Sequence, residues 1–195
     1  MAFNAWNLFD EEEEARRWVS QQMVAPSADS RQWLLCQVGG QICGLPVDRI
    51  QQMVQCTQIT PIPHLPPFLP GLFNLHGEVI PVLDLRLRLA LPVDGEEGRP
   101  ILVIVRIEHS LTEKPADGTE AGKLVALRVD ALLDLVFLRA EEMQLPEATA
   151  TVGTAVDGRP ILLGTARHRE EVIHLLDSEA LLSREEMLAA IAGHT

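Results

Sequence analysis

The sequence has no tyrosine, only 4% aromatic residues and no long apolar run. Its longest strongly apolar stretch, Ile101 to Val105, is far short of the ~20 residues that a spanning helix needs. Insertion into a membrane is therefore not expected. Positive charge is also scarce. Sixteen Lys plus Arg stand against 28 Asp plus Glu, for a net charge of −12. Nucleic-acid affinity depends on cations that neutralise phosphates, so this balance disfavours nucleic acid and anionic membrane surfaces alike. The opening MAFNAWNLFDEEEE lacks the basic segment of a secretory leader. Three cysteines, an odd number, in a chain large enough to fold without staples fit a reducing cytoplasm. Catalytic signatures are missing too: no G-x-S-x-G, H-E-x-x-H, strand-following G-x-G-x-x-G or C-x-x-C occurs. GTEAGK is no phosphate loop, since its spacing is short and Leu124 follows the lysine. His64, His76, His109, His168, His174 and His194 pair nowhere at metal-ligand spacing. No enzyme, metal site or cofactor is expected.

What is present begins with a distinct segment, residues 1–30. Asp10 and Glu13 make a capping box, Glu12 with Arg16 and Glu13 with Arg17 are favourable i,i+4 pairs, and Ala15, Trp18, Val19 and Met23 share a face. This predicts a helix that ends before Pro26 in a short linker. Trp6, Phe9 and Trp18 either pack on the main body or anchor a partner. From Gln32 the pattern turns to short strands. Gly39-Gly40 signals a hairpin that places Cys36 opposite Cys43. A disulfide there is conceivable in geometry, but two buried thiols suit the cytosolic reading better. Five prolines between residues 59 and 71 exclude a helix or a central strand and predict a stiff connector. Strand-like runs follow at 99–109, 123–138 and 159–166. Ser183 and Glu186 form a second capping box for a short C-terminal helix.

The chain also repeats itself. EVIPVLDLRLRL (78–89) and EVIHLLDSEALL (171–182) match at an offset of 93. Each is an apolar strand, then Asp84 or Asp177 at an N-cap position, then a helical turn. Two related subdomains follow from this. Many short strands with only terminal helices point to small barrels or sandwiches.

ITPIPHLPPFLPGLFNLHGEVIPVLDLRLRL (59–89) resembles the CheW-like family of chemotaxis coupling proteins. It matches, without a gap, a pattern that fixes several prolines, glycines and an N-L-x-G turn. LRVDALLDLVFL and EVIHLLDSEALLSREEM resemble two further blocks of that family. The resemblance covers about residues 32–190. It implies an all-β fold of two SH3-like five-stranded β-barrels, with an N-terminal helical extension (1–30) and a short C-terminal helix. The CheW-like domain would span 31–190, with a boundary near 98 and the first strand possibly exchanged into the second barrel. The implied function is non-catalytic coupling of a chemoreceptor's cytoplasmic tip to the regulatory domain of a CheA-like histidine kinase. An alternative is an adaptor that binds the kinase but not standard receptors and recruits another partner through its N-terminal helix. A third reading is a small enzyme or ligand-binding barrel that borrowed the fold.

The resemblance also marks Ile50, Gln52, Gly71, Asn74, His76, Gly77, Asp84 and Arg86 as partner-binding positions. On the residues alone, Gly71 and Gly77 serve turns equally well, Asn74 bonds its own turn, Asp84 caps and Arg86 is solvated. Two of these positions depart from the family. Gln52 replaces a Glu and His76 replaces an Arg, and both changes remove charge near neutral pH. If the two side chains face each other, joint loss is self-consistent, because an unpaired partner costs more than losing both. His76 cannot make the bidentate fork of an arginine.

Overall fold

A computed structural model describes residues 30–56, 58–92, 100–108, 122–145 and 160–183, together with Glu186. The helix expected within residues 10–23, most of the loop at 110–122 and the C-terminal helix beyond Glu186 lie outside the described residues.

Ten strands follow one another: β1 (Ser30–Val38), β2 (Gln41–Pro46), β3 (Ile50–Gln55), β4 (Gly71–Leu75), β5 (Glu78–Asp84), β6 (Ile101–Ile107), β7 (Lys123–Val129), β8 (Ala131–Arg139), β9 (Leu162–His168) and β10 (Glu171–Leu176). One helical turn, α1 (Leu85–Arg88), follows β5. The strands form two five-stranded sheets. The central sheet has the order β3-β6-β7-β5-β4, and the terminal sheet the order β8-β1-β2-β10-β9. The chain thus lays down β1 and β2, builds the whole central sheet, and returns to finish the terminal one.

Local sequence explains the turns. Gly39 and Gly40 take φ of 55° and 78°, the left-handed values that a two-residue primed hairpin turn requires. The hairpin register pairs Cys36 with Cys43, and both are buried free thiols. The connector at 59–70 forms no strand beyond one bridge at Thr60. Asp84 caps α1 by accepting from the Arg86 and Leu87 amides. Asp177 accepts from Glu179 N in the same way, although a simple turn rather than a helix follows it. The Ser183–Glu186 capping box forms in both directions, at 2.8 and 3.2 Å.

The two sheets have one design. Each has an antiparallel edge pair (β3–β6, β8–β1), a second antiparallel pair (β6–β7, β1–β2), one parallel pair (β7–β5, β2–β10) and a terminal hairpin (β5–β4, β10–β9). Of the two SH3-like five-stranded barrels expected, the structure shows two five-stranded sheets that are not closed into rings among the described residues. Among the described residues no ladder joins the edge strands of either sheet. Instead one isolated bridge reaches across each gap: Thr60 to Leu72, and Gln144 to Thr165. A glycine precedes each bridged residue. A Cβ on Gly71 would lie 2.0 Å from the Thr60 carbonyl oxygen, and one on Gly164 would lie 2.6 Å from that of Gln144. Gaps this narrow exclude any side chain.

Three apolar clusters result. One lies on the central sheet around Phe73, Ile80 and Ile104. A second lies on the terminal sheet around Trp33, Leu35 and Ile173. The largest joins the two, with Leu34, Cys36 and Leu45 from one sheet packing with Val103, Val105, Val125 and Leu127 of the other. The crossing from β2 to β3 is a 3-10 turn at Val47–Arg49. Arg49 Nη1 braces it against Glu108 at 2.6 Å and Glu179 at 3.7 Å. The Arg49 hydrogen bond holds the Glu108 carboxyl below the usual carboxylate range. Among the described residues no helix is long and apolar enough to cross a membrane.

Candidate functional site

The eight positions marked in the sequence fall into three places. Asn74, His76 and Gly77 make the β4–β5 turn. Asn74 Oδ1 accepts from Gly77 N at 2.7 Å, so the side chain locks the turn it belongs to. His76 and Gly77 have φ of 52° and 97°. All three are exposed, and so is Val79, which sits directly opposite Asn74 in the hairpin register. The turn is a rigid, solvent-facing projection with an apolar shoulder. Gly71 stands apart at the far end of β4. It is buried against Thr60, and its fold role is closure of the sheet.

Asp84 and Arg86 lie at the opposite end of β5 and do different work. Asp84 is buried, and beyond its capping bonds it receives Arg128 Nη1 at 3.3 Å. Arg86 is ion-paired with Asp130, so it is not the solvated side chain that the sequence suggested. Asp130 also accepts from Gly39 N at 2.7 Å, and its own amide donates to Gln37 O at 2.9 Å. Through Asp130 the helical turn of the central sheet is tied to the β1–β2 hairpin of the terminal sheet. Arg86 is largely enclosed by this arrangement, with its side chain 14% exposed.

Ile50 and Gln52 occupy β3. Ile50 is half-buried and packs on the cluster between the sheets. A bulge separates the two residues: Ile50 pairs with Val105 and Gln52 with Ile104, leaving Gln51 unmatched. Gln52 and His76 belong to opposite ends of the sheet order, and β3 and β4 are not ladder neighbours.

Sequence reasoning missed Asp130, Arg128 and Val79. Asp130 stands in the LRVDALL block, but its partners are 44 and 91 residues away, beyond the reach of local patterning. Val79 reads as one more apolar strand residue, yet it is 42% exposed. Nothing in a strand pattern separates it from its buried neighbour Ile80. Among the described residues no cluster of three or more His, Cys, Asp or Glu side chains is placed to hold a metal ion. The arrangement suits protein contact: a stiff turn, an apolar shoulder and a braced scaffold behind them.

A family model described as the CheW-like domain matches residues 32–186. The chain is 26% identical over 165 residues to the chemotaxis protein CheW of Klebsiella aerogenes, covering 84% of this chain and 89% of that one. It is 23% identical over 171 residues to the chemotaxis protein CheW of Bacillus subtilis, covering 87% and 97% of the two. The crystal structure of the scaffolding protein TtCheW from Thermoanaerobacter tengcongensis superposes with a TM-score of 0.67 at 21% identity. That match covers 84% of this chain and 94% of the other, and it bears on the fold.

Proposed function

The chain belongs to the CheW-like domain family, and from that membership we propose that it is a non-catalytic coupling scaffold of chemosensory signalling. In this reading it works in the cytoplasm. It links the cytoplasmic tip of a chemoreceptor to the regulatory domain of a CheA-type histidine kinase. Each sheet with its closing bridge acts as one SH3-like barrel. The observation that carries the proposal is the β4–β5 turn. Asn74, His76 and Gly77 project from a matched family block into solvent beside the exposed Val79, and the turn is locked from within by Asn74. A turn that needs no reordering on contact loses little entropy when a partner docks.

Asp84, Arg86 and Gly71 support the reading indirectly. They hold the frame from which the turn projects. Ile50 and Gln52 supply the β3 side of the surface. Calorimetric titration of the full chain tests the proposal, once with the kinase's regulatory domain and once with a receptor-tip fragment. Binding to both at micromolar affinity, about −8 kcal/mol each, is the expected result. Binding to the kinase domain alone would replace it with an adaptor that does not engage receptors. Binding to neither would remove the coupling role.

A further inference from the structure

The repeat seen in the sequence extends well beyond residues 78–89. At the same offset of 93, Gly71 matches Gly164, Leu72 matches Thr165, Asn74 matches Arg167, His76 matches Arg169, and Val79 matches Val172. The structure bears this out position by position. Leu72 and Thr165 carry the two closing bridges. His76 and Arg169 both take left-handed φ, 52° and 48°. The amides of Asp84 and Asp177 donate to Phe68 O and Ile161 O, residues that are again 93 apart. The edge strands match as well, through their bulges. On β3 the unmatched residue is Gln51, between Ile50 and Gln52. On β8 it is Leu133, between Leu132 and Asp134. Gln52 therefore corresponds to Asp134.

These equivalences put the two departures from the family pattern in a new light. The first half has lost the acid and the arginine, reading Gln52 and His76. The second half has both at the equivalent places, Asp134 and Arg169. They are ion-paired there, with Arg169 Nη2 at 3.3 Å from Asp134 Oδ2. The other oxygen of Asp134 is fixed by Leu135 N at 2.9 Å, so the carboxylate is anchored to the backbone. The Arg169 side chain stays 76% exposed. A second basic side chain, Arg167, is exposed and directly opposite Val172. Val172 and Leu133 are each 45% exposed, as Val79 is on the first half at 42%.

The geometry points to a second protein-binding site on the terminal sheet, formed by Leu133, Asp134, Arg167, Arg169 and Val172. Its specificity is set by the Asp134–Arg169 pair. The ligand it fits is a polypeptide that presents a carboxylate beside an apolar side chain. The guanidinium offers a planar fork to the carboxylate. Asp134 holds that fork from behind, and Val172 and Leu133 accept the apolar group. Such a ligand is of the same class as the receptor tip in the proposed function, and the inference rests on that reading: the acid–arginine pair that the first half replaces with Gln52 and His76 is present in the second as Asp134 and Arg169.

The test uses the full chain and a receptor-tip fragment in calorimetric titration, with three exposed-site variants. Arg169→Glu and Val172→Asp alter the second half, and Val79→Asp alters the first. Thermal melts of each variant establish that it is folded. The expected result is at least a tenfold weaker Kd for Arg169→Glu and for Val172→Asp. Unchanged binding by both overturns the inference, whatever Val79→Asp does. A tenfold loss confined to Val79→Asp leaves the coupling reading intact and places the receptor on the first half alone. If the unaltered chain binds the kinase domain but no receptor fragment, the receptor part of the coupling reading fails and the inference falls with it.

Discussion

At Asp130 one carboxylate receives both the Arg86 guanidinium and the Gly39 amide. Removing it leaves a mostly enclosed cation and a half-buried N–H without this partner at once. Asp130→Ala is expected to cost about 2–3 kcal/mol in urea unfolding. Arg86→Ala spares the Gly39 bond and should cost less. An equal loss in the two variants would mean that the Gly39 bond contributes nothing. The cysteines carry a chemical prediction. Burial pushes the Cys43 thiol up to about 12, and burial raises Cys36 as well. Thiolate is the reactive form, so at pH 8 iodoacetamide should modify neither in the native chain. Cys56 is less enclosed and should react first, as peptide mapping would show. His174 sets a pH response. Burial lowers its folded pKa below the usual histidine value, so the unfolded chain binds the proton more tightly. The His174 contribution is therefore fully present above about pH 6.5, the ordinary histidine value, and is lost as pH drops below it. His174→Gln should flatten the Tm against pH curve over that window. Much at this scale was legible in the sequence: the caps at Asp84 and Asp177, the Asn74 turn bond and the Cys36–Cys43 register are all local. The fate of Arg86 was not, because its partner comes from another strand.

Among the elements, the two closing bridges separate glycines that look alike in sequence. Gly71 has φ of 153°, and its missing Cβ makes room for the Thr60 carbonyl. Gly77 also has a left-handed φ, but nothing lies within 4 Å of where its Cβ would be. Gly77→Ala should therefore cost about 1 kcal/mol of backbone strain, while Gly71→Ala should cost about 3 kcal/mol or more by driving Thr60 away. Parallel melts of the two variants check this. Similar costs would mean that the 59–70 connector yields without resistance. The prolines announced a stiff connector, and Gly71 announced a turn. That the two meet in a bridge is a fact of three-dimensional closure, and the sequence pattern holds no sign of it. The bulges on β3 and β8 were hidden for a related reason. A bulge is defined by the partner strand, and β1 and β6 are each distant from their bulged neighbours along the chain.

For the whole molecule, the repeat was readable at 78–89 and 171–182 because apolar strand and cap coincide there. It was unreadable at Asn74 and Arg167, where the backbone is shared and the side chains are not. The central sheet is continuous in sequence from Ile50 to Val129, whereas the terminal sheet is assembled from both ends of the domain. The cluster between the sheets draws on both, so unfolding should proceed in one cooperative transition. Two calorimetric peaks would mean that each sheet stands by itself. The same threading bears on how the chain is made. On a ribosome, the β1–β2 hairpin leaves the tunnel ahead of the other strands and lacks both flanking strands, β8 and β10. Some 85 residues separate Pro46 from Ala131, and at the usual elongation rate they take roughly 4–17 s to synthesise. For that interval Trp33 and Leu35 face solvent or a chaperone while the central sheet completes itself. Strands β8 to β10 then close over a hairpin that was made before the central sheet existed.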